Sequence, residues 1–300
     1  MRRIAQLIDM LPTHWRLTRT MRGPAAGTRG DIHFIDLGDC VIRFRQRGSG
    51  PSLVMATDPP VPLELYDGLI AALESGYSVT VFELPGFGCS LPRWRFRLSM
   101  AGAVSAVVRF LDTVPGPHTL LMPCVTGFVG LIAARLRPDL LSHLVLTQTP
   151  TWAGGQSWLA GRDPKRLLRT PVLGQLALAA MRRKRVHAWY RAALADQGQV
   201  ARYAAATLSN FDHGGSFALA SAFQDFLSDH GGLLEAVNVP TLHIAGLADR
   251  SHRQTRFADI EALAPGATRI ELPTAGHFPE LEASAAVVDA LRNFHAGAMR

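Results

Sequence analysis

The feature that most constrains this chain is an alternation of short apolar runs with helix-length amphipathic segments, which begins at Ile32. Apolar runs of this length, rich in Val, Ile, Leu and Phe, are typical of buried strands. Two strands that read as antiparallel, followed by alternating strands and helices, predict an α/β fold with a mostly parallel eight-stranded sheet and helices on both faces. The predicted strands are Ile32–Leu37, Cys40–Gln46, Ser52–Thr57, Ser78–Glu83, His118–Pro123, His143–Gln148, Thr241–Ala245 and Arg269–Leu272.

The alternation stops between Thr151 and about Leu234, where the sequence reads as helices only. Ligands of open α/β sheets bind outside the carboxyl ends of the strands, so an all-helical insertion at this point predicts a cap over the site. We therefore expect an N-terminal amphipathic helix and linker over residues 1–30, a core formed by residues 31–150 and 235–300, and a helical cap over residues 151–234. The predicted helices of the core are Leu65–Glu74, Ser99–Leu111, Phe128–Leu136, Arg256–Leu263 and Ala283–His295.

Composition narrows the class of protein. The chain has 300 residues, 48% of them hydrophobic, which excludes a disordered chain. Its longest uncharged stretch, Thr119–Ala134, is too short for a membrane-spanning helix, and residues 1–11 lack the apolar core of a secretory signal. Three cysteines with no C-x-x-C pair argue against a disulfide framework or a cysteine-rich zinc site. These features predict a cytoplasmic protein with no metal site and no cofactor.

The net charge of +7 is carried almost entirely by arginine. We interpret most of it as a solvated surface. The alternative is a basic rim that attracts a CoA phosphate, an acidic carrier protein or an anionic membrane surface. No nucleic-acid partner is expected, because the basic runs lack interleaved aromatic residues and no binding motif is present. The helix within residues 1–30 is expected to pack against the edge of its own domain; the alternatives are a docking helix, a membrane-surface anchor and an arm that joins a homodimer.

Three further segments resemble the α/β-hydrolase superfamily, and the resemblance extends from about Ile32 to Phe294. Residues Glu83–Ser90, E-L-P-G-F-G-C-S, are similar to the family's D-x-P-G-x-G-x-S turn. Residues Val239–Asp249 are similar to its V-P-x-L-x-x-x-G-x-x-D segment, and Ala275–Pro279 to its G-H-F-P segment. The resemblance implies a sheet of the α/β-hydrolase type and a catalytic site at its carboxyl edge.

The family carries its nucleophile on a sharp turn between a strand and a helix, in the motif G-x-S-x-G. The corresponding turn here, Met122–Gly127, reads M-P-C-V-T-G, and counting back from Arg137–Asp139 places Cys124 at the nucleophile position. The chain order Cys124, Asp249, His277 is then the family's order of nucleophile, acid and histidine. Both glycines of the motif are replaced by larger residues.

These residues predict acyl chemistry on sulfur. An exposed thiol at a helix N-terminus is favoured as the thiolate. His277 would accept its proton, and Asp249 would hold the imidazole in place. A thiol exchanges acyl groups readily with thioesters, so the sequence predicts an acyl-Cys124 intermediate formed from a thioester or ester of an apolar substrate, carried by CoA or a carrier protein. Trp152 of the cap is expected to line the substrate pocket. The alternative is that Cys124 is a small buried apolar residue.

The loop that supplies the family's oxyanion site departs from the pattern. Where the family has H-G-x-P, this chain has Thr57, Asp58 and Pro59 before a second proline. Pro59 has no N–H to bind an oxyanion, and the carboxylate of Asp58 would oppose a second negative charge. The N–H of Val125 would be the remaining donor, and the loss of one such donor costs about 10²–10³ in rate.

These departures affect oxyanion binding and leave the acid–base pair of His277 and Asp249 in place. They motivate a rival hypothesis of non-hydrolytic chemistry, such as elimination, isomerisation or cyclisation, with Asp58 or Cys124 as a second proton carrier. A third hypothesis is a pseudoenzyme that binds a ligand without turnover. A dehalogenase or epoxide hydrolase is disfavoured, because by resemblance those enzymes use an aspartate where Cys124 stands.

Overall fold

A mostly parallel sheet forms the centre of the molecule. The computed structural model describes residues 1–10, 30–227, 234–252, 260 and 262–297. The strands in this part of the chain are β1 (Ile32–Asp36), β2 (Cys40–Arg47), β3 (Ser52–Ala56), β4 (Ser78–Phe82), β5 (Phe87–Gly88), β6 (Leu91–Pro92), β7 (His118–Pro123), β8 (Leu141–Thr147), β9 (Ser216–Phe217), β10 (Thr241–Gly246) and β11 (Thr268–Leu272).

The order of the main sheet is β1-β2-β4-β3-β7-β8-β10-β11, and the short β6 pairs with β2 as a ninth strand. Pairing is antiparallel between β1 and β2 and between β2 and β4. From β4 to β11 every neighbouring pair is parallel. The predicted mostly parallel sheet is therefore confirmed, with β6 as an addition too short to leave a sequence signal.

The central strands are apolar on both sides because both faces of the sheet are covered. On β7, Leu120 and Met122 belong to the core on one face, whereas Leu121 belongs to the core on the other face. Every residue of β7 is buried. A strand covered on both faces reads as an unbroken apolar run, which is how the sequence revealed it.

Helices cover the two faces and extend over the carboxyl edge. They are α1 (residues 2–10), α2 (Asp67–Leu73), α3 (Met100–Leu111), α4 (Gly127–Leu136), α5 (Trp152–Arg162), α6 (Leu173–Ala193), α7 (Val200–Asp212), α8 (Leu219–Ser221), α9 (Pro279–Glu282) and α10 (Ser284–His295). A π-helical turn, Ala222–Phe226, follows α8. Side chains fix two of the starts, since Ser99 accepts from the N–H of Gly102 and Thr151 from that of Gly154. The helix predicted over Arg256–Leu263 lies largely outside the described residues.

The segment between β8 and β10 contains α5 to α8, and it also contains strand β9. Phe217 of β9 pairs with Phe87 of β5, in the turn that follows β4. The expectation of helices only was therefore wrong at this point, because two residues are too few to show a period. The pair joins this segment to the core turn Glu83–Ser90.

Helix α1 packs on its own chain. Arg2 pairs with Asp225 at 3.3 Å, and the hydroxyl of Ser221 donates to Asp9 at 2.7 Å. Arg3 donates to the carbonyl oxygen of Phe96 at 3.2 Å. These contacts tie the N-terminal helix to both the core and the segment after β8.

Across the described ranges, no helix combines the length and the apolar character that crossing a membrane requires.

Candidate active site

Cys124 occupies the sharp turn between β7 and α4. The turn is a short 3₁₀ segment, Cys124–Thr126, and Cys124 itself has φ of +47°. A positive φ is costly for a residue with a side chain and persists where the surrounding structure imposes it. The cysteine thus stands in the strained position where the family resemblance placed a nucleophile.

Two glycines of α4 provide the close packing that this turn needs. A Cβ on Gly127 would lie 2.2 Å from Oγ1 of Thr149, and a Cβ on Gly130 would lie 2.8 Å from Cγ of Met122. The chain therefore tolerates Met122 and Thr126 at the positions that the family fills with glycine, because its own glycines lie farther along the helix.

The thiol of Cys124 is buried, and this corrects the expectation of an exposed thiolate. Burial raises the pKa of the Cys124 thiol, and the nearby carboxylate of Asp58 raises it further. His277 and the N–H of Val125 act in the opposite direction without cancelling the effect of burial. The prediction of a thiolate stabilised by the helix N-terminus was wrong, because the stabilisation by the helix dipole is smaller than the free-energy cost of burying a thiolate.

Asp249, in the loop after β10, accepts four hydrogen bonds. Its Oδ2 accepts from Nδ1 of His277 at 2.8 Å, from Nδ1 of His252 at 3.1 Å and from Nε2 of Gln148 at 3.0 Å. Its Oδ1 accepts from the N–H of Ser251 at 2.7 Å. Burial by itself would raise the pKa of Asp249, but the two histidines lower it well below the usual range. Asp249 is therefore a fixed negative charge.

His277 lies between two carboxylates. Its Nδ1 faces Asp249, and its Nε2 lies 3.1 Å from Oδ2 of Asp58. Burial alone would lower the pKa of His277, yet the charge of Asp249 and the contacts with Cys124 and Asp58 raise it well above the usual value. The sequence predicted that His277 accepts the proton of Cys124. The structure places the two side chains near each other, with their ligand atoms within 4.8 Å, and the role of His277 toward the thiol stays a prediction. Asp58 is an additional neighbour of Nε2, because the loop after β3 carries a carboxylate where the family has a glycine.

The residues expected to bind an oxyanion are oriented otherwise. Thr57 donates its N–H within the sheet to β4, and Asp58 donates its N–H to the hydroxyl of Tyr66 at 3.1 Å. Pro59 has no N–H. Burial raises the pKa of the Asp58 carboxyl, although His277 acts to lower it. Within residues 57–59 no backbone donor is directed at Cys124, and the N–H of Val125 remains as the donor beside the sulfur.

His252 is a second histidine in the site, and the sequence analysis did not identify it. Its Nε2 lies 3.9 Å from Sγ of Cys124. Its ring stacks on that of His277 with centroids 4.5 Å apart, and Trp158 stacks on its other face at 5.2 Å. Burial and the charge of His277 lower the pKa of His252 to about 4, so this ring is neutral near pH 7. The signal available was its spacing, three residues after Asp249.

Two tryptophans of the segment after β8, Trp158 and Trp189, lie against the histidines, as does Phe278, whose ring centroid is 5.0 Å from that of His277. Trp189 lies edge-on to His277 at 5.4 Å. Trp152, which the sequence placed in the substrate pocket, packs edge-on against Phe128 of α4 at 5.2 Å. Its role toward substrate stays a prediction.

Glu280 is a further buried carboxyl that the sequence analysis did not identify. It lies in α9, three residues after His277. Burial and the charge of Asp58 raise its pKa to about 8. The same two carboxyls raise the pKa of Tyr66, after the larger effect of burial. The side of the site formed by the loop after β3 therefore contains two carboxyl groups that resist ionisation.

Comparison with known families identifies the class of protein. The sequence profile of the family described as "alpha/beta hydrolase fold" matches residues 60–284. The chain belongs to the α/β hydrolase family. The site described above lies at the carboxyl edge of this family's sheet, with Cys124 at a plausible nucleophile position. Comparison with curated protein sequences gives no match.

Solved structures share the fold at low sequence identity. Epoxide hydrolase A from Mycobacterium thermoresistibile is 16% identical with a TM-score of 0.74, over 89% of this chain and 98% of that one. Cfl2 from Burkholderia cenocepacia is 17% identical with a TM-score of 0.71, over 90% and 95%. A hydrolase from Pseudomonas aeruginosa is 24% identical with a TM-score of 0.64, over 88% and 98%. At these identities the likeness concerns the fold alone.

Proposed function

We propose that this α/β-hydrolase-fold enzyme catalyses a proton-transfer reaction, an elimination, isomerisation or cyclisation, on the pair formed by Asp58 and His277. One observation carries the proposal: Nε2 of His277, which the family directs at its nucleophile, lies 3.1 Å from the carboxylate of Asp58. A protonated imidazole nitrogen and a buried carboxyl oxygen with no hydrogen-bond partner of good geometry among the described residues thus lie next to each other. The function is acid–base catalysis without an acyl-enzyme.

The two carboxylates around His277 suit different roles. Asp249 has a lowered pKa and stays ionised, whereas burial raises the pKa of Asp58 above its ordinary value. Groups whose environments drive their pKa values apart are the usual sign of an acid–base assignment. Asp58 is the proton carrier, and Asp249 stabilises the imidazolium of His277.

The reaction balances within the site. Asp58 removes a proton from a carbon next to a carbonyl group, and the Nε2–H of His277 gives a proton to the carbonyl oxygen or to the leaving group. Return of the proton from Asp58 to Nε2 restores both groups. The edge of Trp189 and the stacked ring of Trp158 favour an apolar or aromatic substrate beside this pair.

Deuterium exchange tests the proposal without a known substrate. A panel of ketones and β-hydroxy ketones is incubated with the enzyme in D₂O, and NMR follows deuterium at the carbon next to the carbonyl. We expect exchange with the wild type and with Cys124→Ala. We expect Asp58→Asn and His277→Gln to be slower by about 10²–10⁴-fold, the usual contribution of a general acid or base.

Matched controls are the exposed residues Asp139 and His187. Asp139→Asn and His187→Gln should exchange like the wild type. Loss of exchange in Cys124→Ala as large as in His277→Gln would contradict the proposal and favour chemistry on sulfur.

A second candidate is the acyl-Cys124 enzyme, in which an acyl group from a thioester or ester is transferred or hydrolysed. The strained φ of Cys124 favours it, because a chain that does not use this side chain has no need to hold it there. Sγ of Cys124 lies 3.9 Å from Nε2 of His252, whose Nδ1 contacts Asp249, so a Cys124–His252–Asp249 triad is available beside the predicted one with His277. The acyl donor would be carried by CoA or by a carrier protein.

Intact-mass analysis separates this candidate from the first. Short and long acyl thioesters are added, and an adduct that Cys124→Ala abolishes and Cys89→Ala retains supports the acyl-enzyme. Absence of any adduct, together with exchange in D₂O, supports the proton-transfer enzyme. Binding without either reaction, unaffected by His277→Gln, would indicate a ligand-binding pseudoenzyme.

A further inference from the structure

Three side chains of the site converge with the chemistry of a metal centre. Cys124, His252 and His277 each present one ligand atom, and these atoms all lie within 4.8 Å of one another. All three side chains are buried. A thiolate with two imidazoles is a donor set that borderline-soft divalent ions prefer, and it does not suit Mg²⁺ or Ca²⁺.

Asp249 orients the imidazole rings of both His252 and His277. Its Oδ2 accepts from Nδ1 of His277 at 2.8 Å and from Nδ1 of His252 at 3.1 Å. Nδ1 of His252 also lies 2.8 Å from Oγ of Ser251, and Nε2 of His252 is the ring nitrogen that faces Sγ of Cys124. The two rings stack nearly parallel, with an interplanar angle of 4° and centroids 4.5 Å apart. Metal-binding histidines are oriented in this way by a carboxylate on the other ring nitrogen.

The carboxyl of Asp58 borders this group on the side of His277. Its Oδ2 lies 3.1 Å from Nε2 of His277, and the carboxyl is buried. A divalent ion held by Cys124, His252 and His277 would neutralise the thiolate beside this carboxyl.

We propose that Cys124, His252 and His277 form a binding site for Zn²⁺ or a similar thiophilic divalent ion, with Asp58 as a supporting carboxylate beside His277. In a tetrahedral zinc site with Zn–N of about 2.0–2.1 Å and Zn–S of about 2.3 Å, the sulfur and nitrogen atoms are separated by about 3.6 Å. Sγ of Cys124 and Nε2 of His252 are already 3.9 Å apart. The stacked rings of His252 and His277, with centroids 4.5 Å apart, would have to tilt until both Nε2 atoms point at one ion.

The metal-bound form excludes the acid–base reaction proposed above. The ion would occupy Nε2 of His277, the atom beside the carboxylate of Asp58, so zinc is expected to act as an inhibitor of proton transfer. The inference does not rest on that reaction, because zinc binding is measured on the protein alone. Failure of either proposal leaves the other standing.

Titration calorimetry of the chelator-treated full chain with ZnCl₂ tests the site directly. We expect one equivalent of Zn²⁺, and weaker binding by about 100-fold or more for Cys124→Ser and for His252→Gln. Asp58→Asn should weaken it by about 10–100-fold, the effect of losing a supporting carboxylate. Cys89→Ser is the matched control, since Cys89 is only partly buried and its sulfur contacts Asn210 at 3.6 Å. This control should bind zinc like the wild type.

Cobalt(II) gives a second readout that a folding defect cannot imitate. One equivalent of Co²⁺ should produce the visible bands of a tetrahedral ion and a sulfur-to-metal charge-transfer band in the wild type. Cys124→Ser should lose the charge-transfer band, with unchanged far-ultraviolet circular dichroism. The proposal is wrong if one equivalent fails to bind, if Cys124→Ser binds zinc as tightly as the wild type, or if Cys89→Ser loses binding.

Discussion

His277 has a carboxyl group on each side, Asp249 and Asp58, and the two carboxyl groups have different surroundings. On the side of the loop after β10, Asp249 accepts hydrogen bonds from two imidazoles, an amide side chain and a backbone N–H. On the side of the loop after β3, Oδ2 of Asp58 lies 3.1 Å from His277, and the carboxyl is near the negative charge of Asp249 and the buried carboxyl of Glu280. One carboxylate is fully compensated and the other is not.

This difference assigns a structural role to one carboxylate and a chemical role to the other. A buried carboxylate that accepts many hydrogen bonds is stabilised in its charged form and is hard to protonate, as the lowered pKa of Asp249 indicates. A buried carboxyl with few donors is costly to ionise, which makes it a group that takes up and releases a proton. Asp249 therefore stabilises the site, whereas Asp58 is the carboxyl that can exchange a proton or interact with a bound ion.

The largest expected effect comes from removing the compensated charge. Asp249→Asn leaves the imidazolium of His277 without its main partner, and we expect a loss of about 3–5 kcal/mol in the free energy of unfolding. Urea denaturation measures it, with the exposed Asp139→Asn as the control that should change stability by about 0.5 kcal/mol or less. Equal losses in the two variants would mean that Asp249 is not the structural carboxylate.

The next largest effect is the pH dependence of stability that the buried carboxyl of Glu280, on the side of Asp58, should cause. The folded-state pKa of Glu280 is raised from 4.5 to about 8, so the folded chain keeps a proton that the unfolded chain releases. The stability that this proton contributes is present below pH 4.5 and is lost as the pH rises toward 8. Glu280→Gln removes that loss. We expect its unfolding free energy, relative to the wild type, to rise by about 2–4 kcal/mol between pH 5 and pH 8. A difference that does not vary with pH would place the Glu280 carboxyl in contact with water.

A smaller effect is expected from Gln148, which supports the compensated side. Its amide donates to Asp249 and to the carbonyl oxygen of Gly246, and it accepts from the N–H of Gly246 at 2.8 Å. Gln148→Leu leaves buried groups without partners, so we expect a loss of about 1–3 kcal/mol in urea denaturation. The exposed Gln197→Leu serves as the control. A neutral result would show that Asp249 keeps its charge without this amide.

Most of the fold was predictable from sequence because it depends on local apolar patterns. Strand β7 appears as an unbroken apolar run since both of its faces are covered, and the predicted bounds His118–Pro123 are those observed. The pairing of β5 with β9 was not predictable. Two residues give no period, and their partners lie far apart in the chain.

The site was predictable in position but not in contacts. The resemblance placed Cys124, Asp249 and His277 at one edge of the sheet, and the structure brings these side chains together. The resemblance did not identify His252 as a site residue, because the family pattern requires only one histidine. Nor did it show that Asp58 contacts His277, since that contact depends on how the loop after β3 turns, which no local pattern encodes.

The smallest effect on stability is expected for Asp58→Asn, and it is the most direct test of the difference between Asp58 and Asp249. In Asp58→Asn the ion pair with His277 is lost, but so is the cost of burying the carboxylate, and the two nearly offset each other. We expect a change within about 1 kcal/mol at pH 7, measured by urea denaturation beside Asp249→Asn. Because burial raises the folded-state pKa of Asp58 above 3.8, the wild type loses stability relative to this variant as the pH rises above 3.8. A loss as large as that of Asp249→Asn would make both carboxylates structural. It would also remove the reason for assigning the moving proton, or the bound ion, to the side of Asp58.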